Sequence, residues 1–219
     1  MIVGVTAGTF IDTKLGEDLL KKFGFESISY PVSKNPKEQD RLQFLDKKTL
    51  QKKIEIIARD SKLKKAKALL IYCNSLSSAI DYKKIEKDVN IKIITPMEEY
   101  KTYANLYKNL IIIGANSQSM YGIEKILKQE NENLNLITLG ALPIVMEIEL
   151  QKNPEEIINK LALSNLMNFF EKIQFQNGFA DKIILGCTHF PYIKRELQKF
   201  TDIEILDPAD GMIKKLKEL

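Results

Sequence analysis

Two short stretches constrain this chain more than anything else in it: Lys67 to Ser75 (KALLIYCNS) and Asp181 to His189 (DKIILGCTH). In each, a run of Ile and Leu suited to a strand buried on both faces ends in a cysteine followed by small polar residues. Cys73 and Cys187 are the only cysteines of the 219 residues. Both are thereby predicted just past the carboxyl end of a parallel strand, where open α/β sheets place their ligands.

The chain around them alternates. Ile2 to Thr6 reads as a strand running into the turn Ala7-Gly8-Thr9, Leu15 to Phe23 as an amphipathic helix stopped by Gly24, and Phe25 to Tyr30 as a strand. Pro31 to Pro36, with a proline at each end, reads as a loop. A helix over Lys37 to Asp60 leads to the strand ending at Cys73, then a helix over Ile80 to Lys87 and a strand over Ile91 to Ile94. After Thr95-Pro96 the pattern restarts: helix Glu98 to Tyr107, strand Leu110 to Gly114, helix Tyr121 to Lys128 and strand Leu134 to Thr138. A long helix over Pro154 to Phe170, a strand over Ile183 to Gly186, a helix over Tyr192 to Phe200, a strand over Ile203 to Leu206 and a helix over Ala209 to Leu219 complete it.

The halves correspond in order, Thr6-Ala7-Gly8 to Gly114-Ala115-Asn116 and Cys73-Asn74-Ser75 to Cys187-Thr188-His189. That is the mark of a duplicated α/β unit. The expected architecture is two similar parallel-sheet, flavodoxin-like domains related by pseudo-two-fold symmetry, with the active site in the cleft between them. Residues 1–95 with 201–219 form the first, carrying Cys73, and residues 96–200 the second, carrying Cys187.

Composition excludes several function classes. The 33 Lys and Arg against 29 Asp and Glu give a net charge of +4, with the lysines spread over every polar face. Arginine, which reads bases and phosphates bidentately, occurs only at Arg41, Arg59 and Arg195, so no nucleic-acid partner is expected. With one histidine and two distant cysteines no metal site is expected. The apolar runs are strand-sized, no membrane span or cleaved leader is read, and a cytoplasmic enzyme or binding protein is the expectation.

A lone cysteine at a strand end is ordinarily a small buried hydrophobe, but two in corresponding places suggest chemistry. Two thiols facing one cleft suit inversion of a carbon centre, which needs a base on one face of a planar intermediate and an acid on the other. Asn74, Ser75 and Thr188 are placed to stabilise a thiolate or bind a carboxylate, and His189 to tune Cys187.

The stretch Leu185-Gly186-Cys187-Thr188-His189-Phe190-Pro191 resembles the Gly-Cys-Thr-His-aromatic-Pro signature of the aspartate/glutamate racemase family, and Cys73-Asn74-Ser75 resembles its Cys-Asn-Thr/Ser partner. The resemblance extends from Val3-Gly4-Val5 to Asp207-Pro208-Ala209. It implies a cofactor-independent racemase of aspartate or glutamate that needs no pyridoxal phosphate. Cys73 would deprotonate the D substrate, and Cys187, assisted by His189, the L substrate. Asn74, Ser75 and Thr188 would hold the substrate, together with Thr6, Ala7, Gly8, Ser33, Lys34 and Ser119. Of Glu147 and Glu149, the Val-x-x-Ile-Glu spacing favours Glu149 as the acid helper. The partner implied is a small amino acid or dicarboxylate; members commonly dimerise, so a homodimer is also implied.

This chain departs from glutamate racemases in three places. Thr6-Ala7-Gly8 stands where they carry Asp-Ser, so the acidic helper near Cys73 is missing. Pro31-Val32-Ser33-Lys34 stands for Pro-Tyr-Gly, and Asn116 to Ser119 only loosely matches Thr-x-x-Thr. Related activities therefore stay open: hydantoin racemase, maleate isomerase or decarboxylase. So do a carboxylate-binding protein without activity and a redox pair bridging Cys73 to Cys187. Tyr100, Tyr103 and Tyr107, at helical spacing, are read as packing.

Overall fold

The computed structural model describes residues 1–33, 38 and 46–219. It resolves into two compact units, Met1–Met97 with Ala209–Leu219, and Glu98–Pro208. Each is α/β with a four-stranded parallel sheet.

In the first unit, β1 (Ile2–Ala7) is followed by α1 (Phe10–Lys22), β2 (Glu26–Pro31), α2 (Lys47–Leu63) and β3 (Ala68–Ile71). The short α3 (Asn74–Ala79), α4 (Tyr82–Val89) and β4 (Lys92–Ile94) complete the alternation. The strand order is β2-β1-β3-β4. All four residues of β3 are fully enclosed, as a central strand covered on both faces requires. Each large aliphatic side chain so enclosed contributes about 1.5–3 kcal/mol relative to exposure.

The second unit repeats the plan. After α5 (Met97–Leu106) come β5 (Asn109–Gly114), α6 (Ser117–Glu130), β6 (Asn135–Gly140), α7 (Leu142–Glu149), α8 (Pro154–Lys160) and α9 (Leu163–Lys172). The hairpin β7 (Gln174–Phe175) and β8 (Gly178–Phe179), then β9 (Lys182–Gly186) and β10 (Ile205–Leu206), precede α11 (Pro208–Lys217). Between β9 and β10 lies α10 (Lys194–Leu197), flanked by 3₁₀ turns. The sheet order is β6-β5-β9-β10. Taken in order of appearance within each unit, both sheets run second, first, third, fourth, and in both the third strand carries the cysteine.

Several boundaries differ from expectation for identifiable reasons. α1 begins five residues before Leu15, because the Thr9 side chain accepts the Asp12 N–H at 3.0 Å and caps the helix there. The helix expected over Pro154 to Phe170 is two helices, broken where Ala162 takes a left-handed φ of 49°. α7 and the β7–β8 hairpin were not expected at all. Residues 201–219 do not return to the first unit as a block: Ile205–Leu206 pairs with β9, and the first unit regains the chain at Ala209. The start of the helix expected at Lys37 lies outside the described residues.

Candidate active site

The candidate residues fall into two sets, one in each unit. In the first, Cys73 is 2% exposed and follows β3 in extended backbone, φ −163° and ψ 121°. It stands as the N-cap of α3, and its carbonyl accepts the Ser77 N–H at 3.1 Å. Its Sγ lies 3.2 Å from the Ser75 hydroxyl, and Asn74 is buried beside it. A hydroxyl at that distance can donate to a thiolate or accept from a thiol, and so serves either protonation state.

Next to β3, the edge of β1 brings Thr6, Ala7 and Gly8 to the same level, all buried. Their polar groups are engaged locally: Thr6 Oγ1 donates to Tyr30 O at 2.7 Å, and Ser33 Oγ donates to Gly8 O at 2.5 Å. Lys34 lies outside the described residues.

In the second unit, Cys187 follows β9 and is 6% exposed, with Thr188 and His189 buried next to it. Sγ of Cys187 lies 3.6 Å from Nδ1 of His189, and Nε2 of the same ring lies 2.7 Å from Oε1 of Glu149. The nitrogen facing the carboxylate must carry the proton, since a bare nitrogen would set its lone pair against the carboxylate's. Nδ1 then offers its lone pair to the thiol. The chain Cys187–His189–Glu149 can accordingly take the thiol proton onto the imidazole and hold the resulting cation against a carboxylate.

Local folding explains how these groups meet. Gly186 ends β9 level with Gly114 of β5, and His189 enters a 3₁₀ turn at Phe190–Ile193 that turns its ring inward, leaving it 1% exposed. Glu149 is the last residue of α7, a position at which the helix dipole disfavours a carboxylate by about 0.3–1 kcal/mol. Its contact with His189 offsets that cost. Glu147, two residues earlier, points elsewhere and pairs with Lys160 at 2.8 Å.

Ser119 is 2% exposed and occupied by helix capping: its hydroxyl donates to Asn116 O at 2.9 Å while its N–H donates to the Asn116 side chain. Tyr100 is wholly enclosed, and burial first, then the neighbouring Tyr103, Asp207 and Cys187, push its phenol well above its ordinary value of 10.0. Neither cysteine is in a disulfide. Among the described residues no group of three or more His, Cys, Asp or Glu side chains is placed to hold a metal ion, and no helix is long and apolar enough to cross a membrane. A surface groove lined by Pro191, Lys194, Arg195, Gln198 and Lys199 holds none of the candidate residues.

No family model matches the chain. Its curated relatives are informative: it is 29% identical over 223 residues to the glutamate racemase of Buchnera aphidicola, covering 95% of this chain and 82% of that one. It is 31% identical over 172 residues to the glutamate racemase of Clostridium kluyveri, covering 76% of this chain and 65% of that one. Over most of its length the chain is thus similar to glutamate racemases, in line with the family signatures that its Cys73 and Cys187 stretches resemble. Its fold agrees, superposing on the Francisella tularensis glutamate racemase, solved with D-glutamate, with a TM-score of 0.70 at 18% identity over 99% of this chain and 79% of that one.

One feature of the first unit escaped sequence reasoning. The first unit does contain an enclosed acid at the turn that follows β1: Asp12, 0% exposed, whose Oδ2 accepts the Gly8 N–H at 3.2 Å. It comes from the first turn of α1 rather than from the strand end. The available signal was the Thr9-x-x-Asp12 capping spacing, which was overlooked because the helix was expected to start at Leu15.

Proposed function

We propose that this chain is a cofactor-independent racemase of a small acidic amino acid, glutamate in the first place, working by two-base proton transfer between Cys73 and Cys187. The observation that carries the reading is the hydrogen-bonded chain from Cys187 through His189 to Glu149, matched in the other unit by a second buried thiol at the corresponding strand end.

In one direction the Cys187 thiolate takes the α-proton, the carbon becomes planar as its electron pair moves into the substrate carboxylate, and the Cys73 thiol returns a proton to the opposite face. The C–H bond broken and the C–H bond formed are thus served by different sulfurs, and the reverse reaction exchanges their roles. An ordinary thiol, with a pKa of about 8.5, is mostly protonated at neutral pH, so each sulfur needs help to act as base. His189 backed by Glu149 supplies it for Cys187; Ser75 supplies a hydrogen bond for Cys73. Asn74 and Thr188, buried beside the two thiols, are the groups we assign to the substrate carboxylate and amino group. A reducing, cytoplasmic setting suits a mechanism that requires both thiols free.

Proton NMR of the native protein in D₂O with each enantiomer of glutamate and aspartate tests this. Exchange of the α-proton together with racemisation of glutamate is expected, with racemisation lost in Cys73→Ala and in Cys187→Ala. Aspartate as the faster substrate would move the assignment to the aspartate branch. Absence of exchange with all four, or racemisation that survives loss of one cysteine, would overturn it.

A further inference from the structure

Both backbone polar groups of Gly8, which belong to successive peptide units, are held. Its N–H donates to Oδ2 of Asp12 at 3.2 Å, and its carbonyl accepts both the Ser33 N–H at 2.9 Å and the Ser33 hydroxyl at 2.5 Å. Asp12 is the one acid among the described residues of the first unit whose side chain is buried, and it is enclosed completely. Its own N–H is taken by Thr9 Oγ1, and Thr13 Oγ1 donates to Thr9 O at 2.7 Å. The turn after β1 is therefore tied to the first turn of α1 by these three side-chain hydrogen bonds, besides the Thr13 N–H to Thr9 O bond at 2.9 Å.

That turn adjoins the first thiol. β1 and β3 are in register with Thr6 opposite Ile71, and the Tyr72 N–H continues the ladder to Thr6 O at 2.8 Å. Continued past Tyr72, the same register brings Cys73 level with the Ala7–Gly8 turn at the end of β1. One turn along the same face of α1, Gly16 packs so tightly on the Tyr72 ring that an added Cβ would lie 3.1 Å from Cδ1. The helix thus rests on the residue before Cys73 and, through Asp12, on the peptide beside it.

We propose that Asp12 is a positioning residue for the first thiol, holding the Gly8 peptide in the orientation that the Cys73 side of the reaction requires. The proposal rests on the racemase reading for its catalytic consequence, but not for its structural one. What Asp12 contributes is an oxygen acceptor at one place. An ordinary helix cap would contribute stability and leave turnover per folded molecule alone, and this is the reading to be separated from it.

The test compares Asp12→Ala with Asp12→Asn, which keeps an oxygen where Oδ2 stood. In the native background, Asp12→Ala should lower kcat per folded molecule at least tenfold with KM changed less than threefold, and Asp12→Asn should restore kcat to within about threefold of native. In a Cys187→Ala background, where Cys73 is the only thiol, the alkylation rate of Cys73 by iodoacetamide should shift at least threefold on Asp12→Ala and return with Asp12→Asn. Asp12→Ser, which shortens the polar group away from Gly8, replaces the alanine variant if that fails to fold. Native turnover in the folded alanine or serine variant, an asparagine variant as impaired as alanine, or an unchanged alkylation rate would each overturn the proposal. A native protein that racemises nothing would remove the racemase reading and leave the alkylation comparison to decide Asp12 by itself.

Discussion

Nε2 of His189 lies 2.7 Å from Oε1 of Glu149, a contact between residues 40 apart in sequence, with the histidine 1% and the glutamate side chain 10% exposed. Nearly dry surroundings make such a bond worth more than its surface counterpart, about 1.5–3 kcal/mol when one partner is charged. Glu149→Gln keeps the volume and removes the charge. It should lower kcat about ten- to a hundredfold, from that range of energies. Glu147→Gln on the same helix is the control: its partner Lys160 has a side chain 54% exposed, and an ion pair of that kind contributes little, so turnover should stay within about twofold of native. Equal effects of the two substitutions would show that Glu149 does not hold the ring.

Tyr100 should be silent in an alkaline titration. Burial favours its neutral phenol, and the sign follows: this preference stabilises the fold fully below the ordinary value of 10.0 and is lost as pH rises towards the raised folded value. Phenolate absorbance should show one of the eight tyrosines ionising only when the protein unfolds in alkali. That delayed phase should disappear in Tyr100→Phe. A Tyr100→Phe protein with the same delayed amplitude would count against the assignment.

On the acid side, Asp46 and Asp60 are held below their ordinary 3.8, Asp46 chiefly by the Thr49 hydroxyl and Asp60 chiefly by the Lys64 ammonium. Their contribution is present above pH 3.8 and is lost as pH falls through the lowered folded values. Asp46 is exposed and Asp60 partly so, so the contribution is small and weakens with salt. Melting temperatures followed downwards from pH 6 should fall less steeply below about pH 4 in Asp46→Asn/Asp60→Asn than in the native chain. Parallel curves would assign acid sensitivity to other carboxylates.

Gly140→Ala should destabilise the second unit by about 1–3 kcal/mol, the usual cost of overpacking. A Cβ there would lie 2.7 Å from the backbone carbon of Asn116 and 2.8 Å from the Ser117 nitrogen, and neither can yield without moving the start of α6. Gly114→Ala meets the tip of Met120 instead, a flexible side chain, with the Gly186 carbonyl at 3.0 Å. Chemical denaturation of the two variants should rank Gly140→Ala as the worse. The reverse order would mean that the β6 edge relaxes more readily than the Met120 contact.

Strand-level organisation was legible because it rests on local periodicity. Leu110 to Gly114 and Ile183 to Gly186 are apolar runs too short for helices and bounded by turn residues, and each occupies a central strand. The signals that failed were weak or conditional. Nothing in Leu161-Ala162-Leu163 marks a helix break, yet Ala162 adopts a left-handed conformation there. Thr9-x-x-Asp12 is a capping pattern, but exposed Phe10 hid the helical periodicity that follows it.

Sequence alone determined the succession of the eight parallel strands, the duplication and the pairing of each cysteine with a strand end, since all three follow from patterns within a few residues. For the acid of the second unit the family resemblance favoured Glu149 over Glu147 by spacing alone. Only the tertiary structure decided that Glu149 reaches His189 while Glu147 pairs with Lys160, and that a buried carboxylate, Asp12, serves the turn beside Cys73. These outcomes depend on where helix ends meet strand edges distant in sequence, and that meeting is settled by packing of whole elements rather than by any local preference.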